Sequence, residues 1–335
     1  PTMMKQSIYL TLTLALSLTL ASCSGDKLSK ESVLPPVSEQ RSELDRWCQE
    51  HITTPYQAEV IYRWEPHRSH QSSYTYPPKE SQVRPALECL EATVLRLYRD
   101  KNLFASQGFL PEAPLLRIYL YGGGQIDGRG VDLPFDRSKP AIELHLYHID
   151  RFDPTKEVEV YRLIRSAQHQ IGRHLLDLRP ADLAKFIPFS QKNYTDGDTS
   201  PFSDALKSYL SRPDQLREGL GPNRYAWSRG FYSIYGMLGA EVDLAETYSV
   251  TLTETPNSLS AMETDAARPD EAEGDPVAQA RYAQEAREAH AALVAKRAFL
   301  NDYFTTTWRF PLYRLQLGSL TLMNQYLSAH ATPKP

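Results

Sequence analysis

The sequence is poor in cysteine, in charge imbalance and in long apolar runs. Of its three cysteines, Cys23 lies at the end of an N-terminal apolar segment, and only Cys48 and Cys89 follow. Two thiols cannot make a disulfide framework. Whether they pair is left open, because a bridge needs Cα atoms within about 7 Å of each other. The 37 basic and 41 acidic residues are interspersed and leave a net charge of −4. No basic surface is concentrated enough to make nucleic acid an expected partner. Catalytic signatures are missing as well. The glycines Gly122 to Gly124 lack the strand, loop and helix context of a phosphate loop, and no Ser-His-Asp or Cys-His arrangement stands out. There is no internal repeat.

The N-terminus is the most informative stretch. After Met3, a basic residue, Lys5, precedes the apolar run IYLTLTLALSLTL, which is too short to span a bilayer comfortably and has the order of a secretion signal. It ends in Leu20, Ala21, Ser22 and Cys23, which resembles a bacterial lipobox, so Cys23 is the expected lipidation site. Acyl chains on Cys23 would anchor the protein to a membrane. Residues 1–22 thus read as a signal peptide and 23–41 as a lipidated polar tether. Residues 42–330 read as a single domain.

Within that domain the residue spacing predicts α+β structure. Leu44 and Trp47 share one side of a short helix, and an alternating strand ends at Trp64. Leu87, Leu90, Val94 and Leu97 predict a helix over 83–98. LLRIYLYGGGQ and PAIELHLYHI read as strands. From Lys156 to Leu178, the residues Val160, Ile164, Ala167, Ile171, Leu175 and Leu178 recur at helical steps and form a buried stripe. Arg162, Arg165, His169 and Arg173 lie on the opposite face. A further helix is expected through Leu244. Residues near 256–275 carry six acids and few large apolar side chains, and read as a mobile acidic loop. Asp275 and Pro276 then cap the next helix.

Several segments in order resemble the Bacteroidetes substrate import-associated zinc metallohydrolase lipoproteins, a metallopeptidase family. They are LDRW near Leu44, PYQAEVIYRW from Pro55, the helix around His169, RGFYSIYGMLGAEVDLAE from Arg229, and KRAFLNDYFTTTW from Lys296. The resemblance implies a zincin-like fold with a small mixed sheet, an active-site helix and a helical C-terminal half. It also implies zinc in the family. The implied setting is the outer membrane, on its surface or periplasmic face, beside a TonB-dependent transporter and its surface lipoprotein.

The family's His-Glu-x-x-His helix places two imidazoles about 40° apart for one zinc, with the glutamate activating its water. Alignment on Gly172 matches His169 to the first histidine. Gln170 stands at the general-base position and Arg173 at the second histidine. Gln170 cannot take a proton at neutral pH, and Arg173 puts a cation where a dication should bind. His174 is a conceivable substitute, although it lies roughly 140° around the helix from His169. In the later stretch Asp243 and Glu246 remain, and Glu246 corresponds to a third ligand. A buried carboxylate without its metal needs another cation, and Arg173 is the expected partner of Glu246.

Whether the chain is an enzyme stays open at this point. One reading is a degenerate member that binds a peptide, glycan or partner protein in the old cleft. The alternative is a working zinc-dependent hydrolase using His169, His174 and Glu246 in altered geometry. Arg162 and Arg165 are suited to planar anions. His145 and Tyr147 share a strand face with Glu143 and are candidates for lining the cleft, whereas His145 and His148 point to opposite faces.

Overall fold

The computed structural model describes residues 41–64, 75–99, 114–203, 222–270 and 274–331. The proposed signal peptide, Cys23 and nearly all of the tether lie outside the described residues. From Glu43 onward the chain forms one compact unit. Its thiols at Cys48 and Cys89 are free and buried.

Helix α1 (Glu43–Cys48) runs on through a wide turn, Gln49–Thr53, to Tyr56 and leads into strand β1 (Glu59–Ile61). Helix α2 (Glu80–Leu90) likewise continues through Glu91–Leu95 to Arg99. Strand β2 (Arg117–Leu120) is followed by a small ribbon, β3 (Gln125–Ile126) and β4 (Asp132–Leu133), and then by β5 (Glu143–Leu146). The main sheet has the order β1, β2, β5 and is parallel throughout, with Glu59 opposite Arg117 and Arg117 opposite Glu143. It is therefore not the mixed sheet expected: among the described residues, antiparallel pairing is confined to the separate β3–β4 ribbon.

Helix α3 (Glu157–Leu178) covers one face of this sheet. Val160, Ile164, Ala167, Ile171 and Leu175 are buried with Ile118, Leu120, Leu144 and Leu146, as the apolar stripe requires. At the end of the stripe, Leu178 is exposed. The opposite face is not freely solvated, because His169 at its centre is also buried. What covers it is α6 (Ala240–Thr253), which packs along α3 and is itself buried from Val242 to Thr253. The two helices approach closely at Gly172, where an added Cβ would lie 2.7 Å from Cδ1 of Tyr248. Tyr248 in turn meets the Tyr98 hydroxyl at 2.5 Å and stacks on Phe304.

Between α3 and α6 lie the short helices α4 (Leu183–Phe186) and α5 (Pro222–Trp227) and a 3-10 turn, Ile234–Leu238. The segment expected to be a mobile acidic loop contains helix α7 (Pro256–Ala266). Thr255 caps it by accepting from Ser258 N–H, with proline in the first turn. Its acids are paired rather than solvated. Glu263 accepts from Tyr232 and Arg297, and Asp265 meets Arg224 at 3.1 Å. Helix α8 (Pro276–Thr307) begins as predicted, with Asp275 accepting from the N–H groups of Val277 and Ala278. Helix α9 (Leu312–His330) closes the fold. Among the described residues, no helix is long and apolar enough to cross a membrane.

Candidate functional site

The residues singled out on α3 and α6 meet where the two helices cross, but not in the predicted pairing. His169 is 1% exposed and its ring stacks on Phe135, with centroids 3.9 Å apart. Its Nδ1 lies 2.6 Å from Oε1 of Glu246, off the ideal N–H direction, and its Nε2 has no hydrogen-bond partner among the described residues. The other carboxylate oxygen, Oε2, receives Nη2 of Arg165 at 3.2 Å. The cation that serves Glu246 is therefore Arg165, one turn before His169, and not Arg173, one turn after it.

Arg173 instead donates to the carbonyls of Asp136 and Arg137, at 3.1 and 3.4 Å. These carbonyls belong to the loop that also supplies Phe135, so Arg173 fastens that loop onto the helix. Burial would raise the Glu246 carboxyl, but the Arg165 charge, His169 and a hydrogen bond from Ser233 outweigh it and bring it down to about 2. The Glu246 carboxyl is thus ionised at neutral pH. Burial pushes the His169 imidazole the other way, below its usual range, so it stays neutral.

Gln170 is occupied by the sheet. Its Oε1 accepts from His145 N–H at 2.6 Å, and its Nε2 donates to the His145 carbonyl at 2.9 Å and to the Ser166 carbonyl at 3.2 Å. β5 is an edge strand, and these are the groups that a further strand would use. One carboxamide thus satisfies both, which a carboxylate could not do because it cannot donate.

The remaining predicted residues do not join His169. His174 places Nε2 3.1 Å from the Pro114 carbonyl, so it is no substitute ligand. The His145 ring stacks on Tyr119 and accepts or donates at the Tyr121 hydroxyl, 2.8 Å away, on the sheet face away from α3. Burial, aided by Lys139, lowers its pKa to about 4. Tyr147 stacks on Tyr121 on that same face. Arg162 is half-buried and pairs with Glu159.

A second buried charge pair was not predicted. Lys296 on α8 lies 2.6 Å from Oδ2 of Asp243, and both side chains are almost fully enclosed. The Tyr194 hydroxyl donates to the same oxygen at 2.8 Å, and Lys296 also donates to the Gly230 carbonyl. Burial pushes the Asp243 carboxyl up to about 6 in spite of the lysine. The spacing of Lys296 is that of the buried stripe, three residues after Leu293 and four before Leu300, and only its charge argues for the surface.

A cavity of about 220 Å³ reaches Glu246 from the surface, bounded by Arg162, Arg165, Tyr235, His148 and Asp132. A larger groove of about 900 Å³ runs along α8 past Ser190, Arg229 and Tyr282, and it touches none of His169, Gln170, Arg173 and Glu246. The smaller cavity is the one joined to the site.

These residues do not fit zinc. A protein zinc site takes at least three side-chain ligands. At this site only His169 and Glu246 are donors, Glu246 lies on the Nδ1 side of the ring while Nε2 points elsewhere, and a guanidinium sits on the carboxylate. Among the described residues, no group of three or more His, Cys, Asp and Glu side chains is arranged to hold a metal ion.

A crystal structure from Bacteroides caccae ATCC 43185, described as a putative zinc-binding metallo-peptidase, has a similar fold. The TM-score is 0.55 at 17% identity, covering 89% of this chain and 97% of that one. No curated protein matches. The sequence model of the family described as "Putative zinc-binding metallo-peptidase" matches residues 37–313. This span takes in the sheet, α3 and α6, and the chain belongs to that family.

Proposed function

We propose that this chain is an envelope lipoprotein that keeps a zincin-like metallopeptidase frame without its zinc chemistry and acts as a binding or accessory subunit. The observation that carries the reading is the Arg165–Glu246–His169 cluster. An internal guanidinium neutralises the carboxylate that a dication would hold, and the general-base position carries a carboxamide tied to β5. Neither residue is poised to activate water. The anchor would be Cys23, and the resemblance to import-associated lipoproteins favours an outer-membrane position near a TonB-dependent transporter and its surface lipoprotein.

One observation favours the alternative, a zinc-dependent hydrolase with a rearranged site. His169 Nε2 is buried and has no partner among the described residues, as a vacant ligand position would be. Metal analysis separates the two. After exposure to zinc and desalting, the purified protein is expected to hold far less than one zinc per chain, no more than its His169→Ala variant. Stoichiometric zinc that disappears in the variant would overturn the proposal. Incorporation of labelled fatty acid, abolished in Cys23→Ser, tests the anchor separately.

A further inference from the structure

The cavity that reaches Glu246 has an uneven polar inventory. Its hydroxyl groups are all committed: Tyr161 donates to Glu254, Tyr235 to the Asp132 carbonyl at 3.0 Å, and Ser166 to the Pro134 carbonyl at 2.7 Å. Its carboxylates are engaged except at one atom, Oδ1 of Asp132, which is buried without a hydrogen-bond partner among the described residues. Glu246 is held by Arg165 and His169, and Oδ2 of Asp132 lies 2.6 Å from Nε2 of His148.

The cationic side is not used up. A guanidinium carries five N–H donors. Among the described residues Arg165 gives one of them, to Glu246, and Arg162 gives one, to Glu159. Asp132 takes up Nε2 of His148, while Nδ1 has no partner among the described residues. Apart from the one acceptor at Asp132, what the cavity still offers is hydrogen-bond donors from two adjacent turns of α3, beside the rings of Tyr161 and Tyr235 and the apolar side chains of Pro134 and Val158.

We propose that this cavity binds a small carboxylate with a flat or apolar body, the carboxylate being gripped by Arg162 and Arg165. Planar guanidinium forks match a carboxylate in two-point geometry, which an ammonium cannot do. Glu159 and Glu246 leave enough donors on each arginine for a second acceptor. The volume, about 220 Å³, lies below the roughly 300 to 1,000 Å³ of pockets for drug-sized ligands. It suits one amino-acid residue or one sugar unit and excludes a long stretch of polymer. A peptide C-terminus and a uronic acid share this chemistry. The inference rests on the reading of the cleft as a binding site without zinc.

The test titrates the zinc-free full chain with two matched pairs, N-acetylphenylalanine against its amide and galacturonate against galactose, followed by calorimetry or ligand-observed NMR. At least one acid is expected to bind saturably, about tenfold or more tighter than its neutral partner. Whichever acid binds identifies the source of the carboxylate. Arg162→Gln, at a half-exposed position, is expected to weaken that acid about tenfold with an unchanged melting curve, and His148→Gln to weaken it less. Equal binding of acid and neutral partner overturns the proposal. So does unaltered affinity in Arg162→Gln, or no saturable binding of either acid up to about 10 mM. Zinc content decides the metal-free reading and acid affinity decides this one, so the two can fail separately.

Discussion

Oε2 of Glu246 accepts from Arg165 at 3.2 Å while Oε1 lies 2.6 Å from His169, so one carboxylate at the α3–α6 crossing is shared by a cation and an imidazole from successive turns of α3. Removing one partner of a buried pair leaves an uncompensated charge, which costs about 3–5 kcal/mol. Arg165 is one-fifth exposed, which favours the lower end, about 3 kcal/mol. Arg165→Met should therefore lower the urea midpoint substantially. The double variant Arg165→Met with Glu246→Gln should recover most of the loss. A double variant as unstable as the single one would show that Arg165 matters for packing and not for the charge.

Part of this arrangement was legible in the sequence. The stripe from Val160 to Leu175 was, because burial against a sheet imposes helical spacing on apolar residues. The family resemblance singled out His169 and Glu246, and the structure brings these two side chains together. The choice of cation was not. Arg165 and Arg173 lie one turn to either side of His169, and only the placement of α6 and of the Phe135 loop decides which of them reaches Glu246. The helix Pro256–Ala266 was missed for a different reason. Its acids count as solvent-seeking in composition, yet Glu263 and Asp265 are neutralised by Arg297 and Arg224, which are remote in sequence. Thr255–Pro256 carries the same cap-then-proline signal that correctly placed the start at Asp275.

Acid stability should show two opposing windows. The Glu246 carboxyl is lowered from 4.5 to about 2, so its contribution is complete above about 4.5 and is lost as pH falls towards 2. The Asp243 carboxyl is raised from 3.8 to about 6, so the folded state holds more protons than the unfolded one in between, and its contribution is lost as pH rises through that range. Between about pH 4 and 6, stability should therefore fall with rising pH on account of Asp243. Asp243→Asn is expected to flatten that slope in denaturant titrations. A slope unchanged in the variant would mean that other groups set it.

Gln170→Glu removes a donor that serves the carbonyls of His145 and Ser166. A buried acceptor left unsatisfied costs about 1–3 kcal/mol, and a buried carboxylate facing carbonyls adds to that. The variant should melt lower than the parent and show no peptidase activity. A variant that is equally stable would mean that the carboxamide is not needed to close the free edge of β5.

Gln170→Glu combined with Arg173→His writes a complete His-Glu-x-x-His spacing into α3. If those two positions alone kept metal out, this double variant would take up zinc. Arg165, however, still occupies Glu246, and a guanidinium on that carboxylate opposes a dication both by its charge and by its hold on the oxygen. The double variant should bind well under one zinc per chain. Adding Arg165→Ala frees Glu246. Together with His169 and the imidazole introduced by Arg173→His, it then makes up three donors, the number a catalytic zinc site uses. The triple variant should then approach about one zinc per chain after desalting, measured by mass spectrometry. Full occupancy already in the double variant would show that Arg165 yields to the metal, and Arg173 would become the residue that excludes it.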